Sequence, residues 1–225
     1  LAITLFFAVF IFSRLQLTQR QKKVIEAQKQ KTEEQKKDIM SNISYAKKIQ
    51  DAILPSEESM NNALDGSFAL YLPKDVVSGD FYWVYKDKQG VAYFTVGDCT
   101  GHGVSGAFMS IIGQTLLNEL VVNKGITEVN EILMQMREYI IHYLHQKGEA
   151  GEARDGMDIA LCKMEISQNK LSFAGAYNSL YRIRDGELSE FKGSRRPVGY
   201  FVGKGILFDK EDLDVQKVHP FLLCN

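Results

Sequence analysis

Two acidic, glycine-flanked turns, Ser78-Gly79-Asp80-Phe81 and Gly97-Asp98-Cys99-Thr100-Gly101-His102-Gly103, are separated by an apolar strand pattern and constrain this chain more than any other feature. Asp98 follows Val91-Ala92-Tyr93-Phe94-Thr95-Val96, a β-branched and aromatic run whose alternate members can face a core. The pattern predicts a hairpin of strands 81–85 and 91–96 across the turn 86–90. Asp80 opens the first strand and Asp98 leaves the second, so both carboxylates fall at one edge of the sheet. Two such hard oxygen donors, with Lys86 and Lys88 at the far end of the hairpin, repel each other, and a divalent cation such as Mg2+ or Mn2+ is the usual neutraliser. Each Asp alone reads better as a turn or cap residue beside Gly. The two motifs in this order and at this separation favour metal.

The glycines after Asp98 let backbone carbonyls and a helix start approach a cation and a phosphate closely. Continued by Val104-Ser105-Gly106-Ala107-Phe108-Met109, the pattern resembles the metal-dependent PPM serine/threonine protein phosphatases, in the SpoIIE-like bacterial branch. The resemblance runs from about Leu54 to Tyr200. It also includes Pro73-Lys74-Asp75-Val76-Val77-Ser78-Gly79-Asp80, Gly175-Ala176-Tyr177-Asn178 and Arg196-Pro197-Val198-Gly199.

The remaining elements fill in an α+β domain. A strand is predicted at 67–72, a helix at 104–122 with Ile111, Leu116, Leu117 and Leu120 buried, and a second helix at 127–146. The second helix has Thr127 as its N-cap and Ile132, Leu133, Met136, Ile140 and Leu144 as its stripe. After a polar loop at 148–156 come strands at 157–166, 170–177, 180–184 and 187–191, with Asp185-Gly186 a strong hairpin signal. Two helices among many antiparallel strands indicate a layered sandwich, and the resemblance sharpens it to an α/β/β/α arrangement of two mainly antiparallel sheets flanked by helices.

Upstream, the run from Leu1 to Phe12 is apolar, too short to cross a bilayer alone, and followed by Arg14, Arg20, Lys22 and Lys23. It is expected to be the end of a transmembrane helix (1–13), with a signal-peptide core or a buried helix as the alternatives. A cytoplasmic linker (14–54) follows, then the catalytic domain (55–225). In the linker Ile39, Ile43, Ala46, Ile49 and Ile53 form one apolar stripe that Pro55 terminates. The stripe suits either a dimerising helix, which the resemblance implies, or a helix packed on its own domain. The three cysteines, Cys99, Cys162 and Cys224, are odd in number and widely spaced, as befits reduced intracellular thiols. A net charge of −1 gives no basis for a nucleic-acid partner, and none is expected.

The resemblance implies that Asp98 bridges two Mn2+ or Mg2+ ions, with Asp80 and the Cys99 backbone carbonyl completing the shell of one. It further implies in-line attack on a phosphoserine or phosphothreonine by a metal-activated water, without a phospho-enzyme. His102 and Asp158 are assigned possible outer-shell roles, His102 being placed there in preference to general acid. His142 and His145 are read as surface residues, and Arg195 and Arg196 as either solvated or guiding a phosphopeptide. The family pattern continues with further acidic motifs for the second metal, which the ending Val218-His219-Pro220-Phe221-Leu222-Leu223-Cys224-Asn225 does not supply. Asp209, Asp212 and Asp214 lie on a predicted surface strand and are not assigned as ligands. The expectation is therefore a truncated, weakly active or inactive chain whose parent is a phosphatase at the bacterial cytoplasmic membrane, its catalytic domain facing the cytoplasm and acting on a small phosphoprotein regulator. A non-catalytic membrane-linked module that binds a regulator is the alternative. A different two-metal phosphate enzyme is less favoured, since no histidine cluster is present.

Overall fold

The structure, a computed structural model, describes residues 2–149, 154–202, 207–215 and 221–223 of the 225-residue chain. It divides into two compact units, 1–45 and 46–225. Helix α1 (Ala2–Ile53) supplies the first unit and, with its last two turns, the start of the second. In the first unit Ile3, Leu5, Phe6, Phe7, Phe10, Ile11 and Phe12 are all solvent-exposed, so this stretch of the helix is apolar around its circumference.

The second unit opens with α2 (Glu57–Ala63), whose N-cap Ser56 accepts from the Ser59 amide. Strands β1 (Phe81–Lys86) and β2 (Ala92–Cys99) form the expected hairpin, with Phe81 opposite Gly97. Helix α3 (Gly103–Leu117) continues through a π-helical turn (Asn118–Asn123) and is followed by α4 (Val129–Tyr143). Then come β3 (Gly156–Glu165), β4 (Lys170–Ala176), β5 (Leu180–Arg184), β6 (Glu187–Phe191), β7 (Val198–Gly199), β8 (Lys210–Asp214) and β9 (Phe221–Leu223). The large sheet has the order β1-β2-β3-β4-β8, with β7 also pairing β3; the small one runs β6-β5-β9. The β5–β6 turn places Asp185 and Gly186 at φ 53° and 84°, the left-handed pair that a two-residue hairpin loop needs.

The large sheet buries both faces. On one, Phe81, Trp83, Tyr93, Ile159, Leu161 and Ala174 pack with Leu117, Leu120, Ile132, Leu133, Met136 and Ile140 of the helical layer. On the other, Ala160, Cys162, Leu171 and Phe173 meet Leu180, Phe191, Phe221 and Leu223 of the small sheet. Alternate residues of β3 thus serve opposite cores, as the period-two rule requires. Gly103–Asn123 is long and apolar enough to cross a membrane, but more than half of it is buried in the first of these cores.

Two expectations are corrected. Residues 67–72 form no strand and join neither sheet among the described residues; Phe68, Leu70 and Leu72 are about 80% exposed, and Tyr71 donates from its hydroxyl to the Asp80 carbonyl at 3.1 Å. Helix α4 starts one residue late, with Glu128 rather than Thr127 at the N-cap, and the Glu128 carboxylate is engaged by Lys210 of β8 at 2.8 Å. In the linker helix Gln50 is buried, while Ile39, Ile49 and Ile53 of the predicted stripe are exposed and remain open to either partner. Part of the 148–156 loop, the segment 216–220 and Cys224 lie outside the described residues.

Two glycines make room for the Phe81 ring where α3 crosses the sheet. A Cβ on Gly113 would stand 2.9 Å from that ring and 3.0 Å from the Met157 methyl, and one on Gly97 would stand 2.6 Å from the ring. Gly113→Ala should therefore destabilise the chain by about 1–3 kcal/mol through overpacking. Set against the roughly 1 kcal/mol that alanine adds to a helix interior, the net loss is about 0–2 kcal/mol. Urea unfolding followed by circular dichroism reads the sign directly.

Candidate active site

All the singled-out motifs converge on one end of the large sheet. The β2–β3 ladder sets Asp98 directly opposite Asp158, and the β1–β2 register brings Asp80, one residue before Phe81, to the same edge. Residues 175–178 close β4 at this edge: the Asn178 side-chain amide donates to the Asp158 carbonyl at 3.3 Å. Tyr177 is held at φ 58°, and its amide donates to the Ser194 carbonyl at 2.9 Å. Gly175 has no alternative, since a Cβ there would lie 2.3 Å from the Asn178 carbonyl oxygen. Val198 and Gly199 pair with Met157 and Gly156, immediately before Asp158.

Around Asp80 the backbones are in contact. A Cβ on Gly79 would stand 3.0 Å from the Cys99 carbonyl oxygen and 3.3 Å from that of Gly101, and one on Gly106 would stand 3.0 Å from Gly79 Cα. The carbonyls of the Asp98 loop and the start of α3 therefore lie against the segment that carries Asp80. This is the cradle that the glycine pattern requires.

Neutral side chains hold the loops. Thr100 is paired with Gly156 in both directions, its amide donating to the Gly156 carbonyl and its Oγ1 accepting from the Gly156 amide, each at 3.0 Å. Buried Gln146 donates to the Asp155 carbonyl at 2.6 Å and accepts from the Tyr200 amide at 3.1 Å. Gln50 does the same for Ser78, as described below. None of these contacts had a signal in the sequence, because isolated Gln and Thr residues carry no pattern.

The carboxylates perturb one another. Asp98 is held above the ordinary carboxyl range by partial desolvation and then by the charge and hydrogen bond of Asp80. Asp158 is pushed up to about 6, by burial first and Asp98 second. Asp158, given only an outer-shell place on sequence grounds, thus stands in the acidic group itself. His102 does not: its imidazole is almost fully exposed and lies 3.5 Å from the Asp75 carboxylate. Asp209 and Asp212 accept hydrogen bonds from Ser194 and Ser172. Cys99 and Cys162 are buried free thiols.

Three acids that form no ion pair among the described residues suit a hard divalent cation bound through oxygen, so the residues present fit such an ion. Among the described residues no three His, Cys, Asp or Glu side chains are grouped so as to hold a metal ion by themselves. Asp80, Asp98 and the Cys99 carbonyl are the donors available at this edge, with Asp158 beside them.

A carboxyl whose folded-state pKa lies above its unfolded one stabilises the fold below about 4, and that contribution is lost as pH rises through about 6. In EDTA at pH 7.5, Asp158→Asn should therefore be more stable than the parent chain. Screening by solvent reduces the gain to about 1 kcal/mol, or roughly 2–4 °C in Tm. The difference should vanish toward pH 4, and calorimetry across this range checks it.

The comparisons bear on the fold. No family model matches the chain, and no curated protein matches it. Among solved structures, the SiaA-PP2C domain of Pseudomonas aeruginosa is 30% identical, with a TM-score of 0.72 over 84% of this chain and 72% of that one. RsbX in complex with magnesium (13% identity, TM-score 0.50, 65% of each chain) shares the fold. So does the serine/threonine phosphatase of S. agalactiae (12% identity, TM-score 0.50, 65% of this chain and 72% of that one). With the SiaA domain related in both sequence and structure, and the acidic edge assembled from the same motifs, the chain belongs to the PP2C-type (PPM) family of bacterial serine phosphatases.

Proposed function

We propose that the chain is the phosphatase portion of a membrane-linked bacterial signalling protein that hydrolyses phosphoserine or phosphothreonine in a small regulator protein. The observation that carries this reading is the convergence of Asp80, Asp98 and Asp158 on one sheet edge without a basic partner. Asp80, Asp98 and the Cys99 carbonyl would hold Mg2+ or Mn2+, and Asp158 would orient or share a ligand from the facing strand. Bound there, two such ions would supply an acidified water and neutralise charge on the phosphoryl oxygens. The protein residues keep the edge anionic when empty and hold the donors on rigid strands and a backbone-packed loop. No nucleophilic side chain is required of this edge: the Cys99 thiol is buried and pushed up beyond the range in which it would ionise, by burial first and the neighbouring acids second.

The apolar, fully exposed start of α1 followed by Arg14, Arg20, Lys22 and Lys23 supports attachment to the cytoplasmic membrane, with the phosphatase unit in the cytoplasm. The exposed Ile39, Ile49 and Ile53 support pairing of two copies through this helix.

Hydrolysis of p-nitrophenyl phosphate and of phosphoserine and phosphothreonine peptides should be weak in the 225-residue chain, and what turnover there is should depend on added Mn2+ or Mg2+. Asp98→Asn should lower kcat/KM by about 100-fold or more, given that even outer-shell partners of a metal are worth 10–100-fold. A chain that binds neither metal through Asp98, yet captures a regulator protein equally well with and without Asp98, would instead be a non-catalytic binding module.

A further inference from the structure

The loop that carries Asp80 is gripped by a residue 28 positions upstream. Gln50, in the last turn of α1, is 2% exposed. Its Oε1 accepts from the Ser78 amide at 3.0 Å, and its Nε2 donates to the Ser78 carbonyl at 2.6 Å and to Ser110 Oγ of α3 at 2.8 Å. Both backbone groups of one residue are thus satisfied by one side chain, in the manner of a strand partner. Ser78 passes the constraint on, since its Oγ accepts from the Asp80 amide at 3.0 Å. Gly79, between them, has the Cys99 and Gly101 carbonyls against it and cannot move inward. Asp80 is therefore fixed through two links, helix to Ser78 and Ser78 to Asp80, and Ser110 ties the same amide to the helix that starts after the Asp98 loop.

The residue type matters. A carboxylate at position 50 would leave the Ser78 carbonyl without its donor and add charge beside an acidic edge, and a lysine could not accept from the amide. Glutamine meets both backbone groups and keeps the clamp neutral.

We propose that Gln50 is a positioning residue for the cation site, holding the Asp80 loop in its binding geometry, so that cation binding and docking of the last turns of α1 stabilise each other. This rests on the reading of Asp80 and Asp98 as cation ligands. Coupling of this kind is reciprocal: whatever the docked helix adds to cation affinity, the cation returns as protection of the helix.

The test uses the 225-residue chain in detergent, with Mn2+ as the probe. Free-Mn2+ electron paramagnetic resonance gives the affinity, and hydrogen exchange of residues 46–54 reports on docking. In the parent chain, Mn2+ should slow exchange in 46–54, a result that needs no variant. Gln50→Met, of similar shape but without hydrogen-bonding atoms, should weaken Mn2+ binding by about 10-fold, well below its unfolding temperature, and abolish that protection. Ser110→Ala, which leaves the Ser78 clamp in place, should weaken binding much less. Unchanged affinity in Gln50→Met with lowered Tm, or exchange in 46–54 that ignores Mn2+, overturns the proposal and leaves the metal site standing. Absence in the parent chain of Mn2+ binding that Asp98→Asn removes overturns the metal reading and this proposal together.

Discussion

Everything at the functional edge depends on the register of β2 against β3. That ladder runs from Ala92 opposite Met164 to Cys99 opposite Met157, and it forces Asp98 to face Asp158 across the strands. Like charges directly opposite each other weaken a sheet. The pairing persists because the same ladder buries Tyr93 on the helical side and Ala160 and Cys162 on the sheet side. A slip by one residue would exchange these two sets between the cores. The apolar interior thus holds two repelling carboxylates in place, and the repulsion becomes a standing preference for a cation.

The supports around the acids are uncharged. Gln50, Thr100, Gln146 and Asn178 bond to the backbone of Ser78, Gly156, Asp155 and Asp158 respectively. A basic residue in any of these places would neutralise the edge and compete with a metal. Amides and hydroxyls immobilise the loops without that effect, and their burial makes each lost bond expensive.

The sequence showed the hairpin, both long helices and the four strands 157–191, because these elements carry strong periodicity and are bounded by glycine or polar turns. It also brought Asp80 and Asp98 together, since strand alternation fixes which end of a hairpin each occupies. It misjudged residues 67–72, where alternation of Phe68, Leu70 and Leu72 mimics a half-buried strand; such alternation says which residues share a face, but not whether a neighbour exists to cover it. Asp158 was undervalued for a related reason, as its place opposite Asp98 is a matter of long-range register. Gln50 was invisible because one buried glutamine on a Gln-rich helix has nothing to distinguish it.

The uncovered segment 67–72 has a consequence for the protein in solution. Three large side chains about 80% exposed, on alternate positions of a backbone that joins neither sheet, form an adhesive edge of the kind natural sheets normally blunt with lysine, proline or a bulge. Pro73 and Lys74 stand just beyond it and limit growth in one direction only. Such a strip favours strip-to-strip pairing between molecules at high concentration, even with the core fully folded.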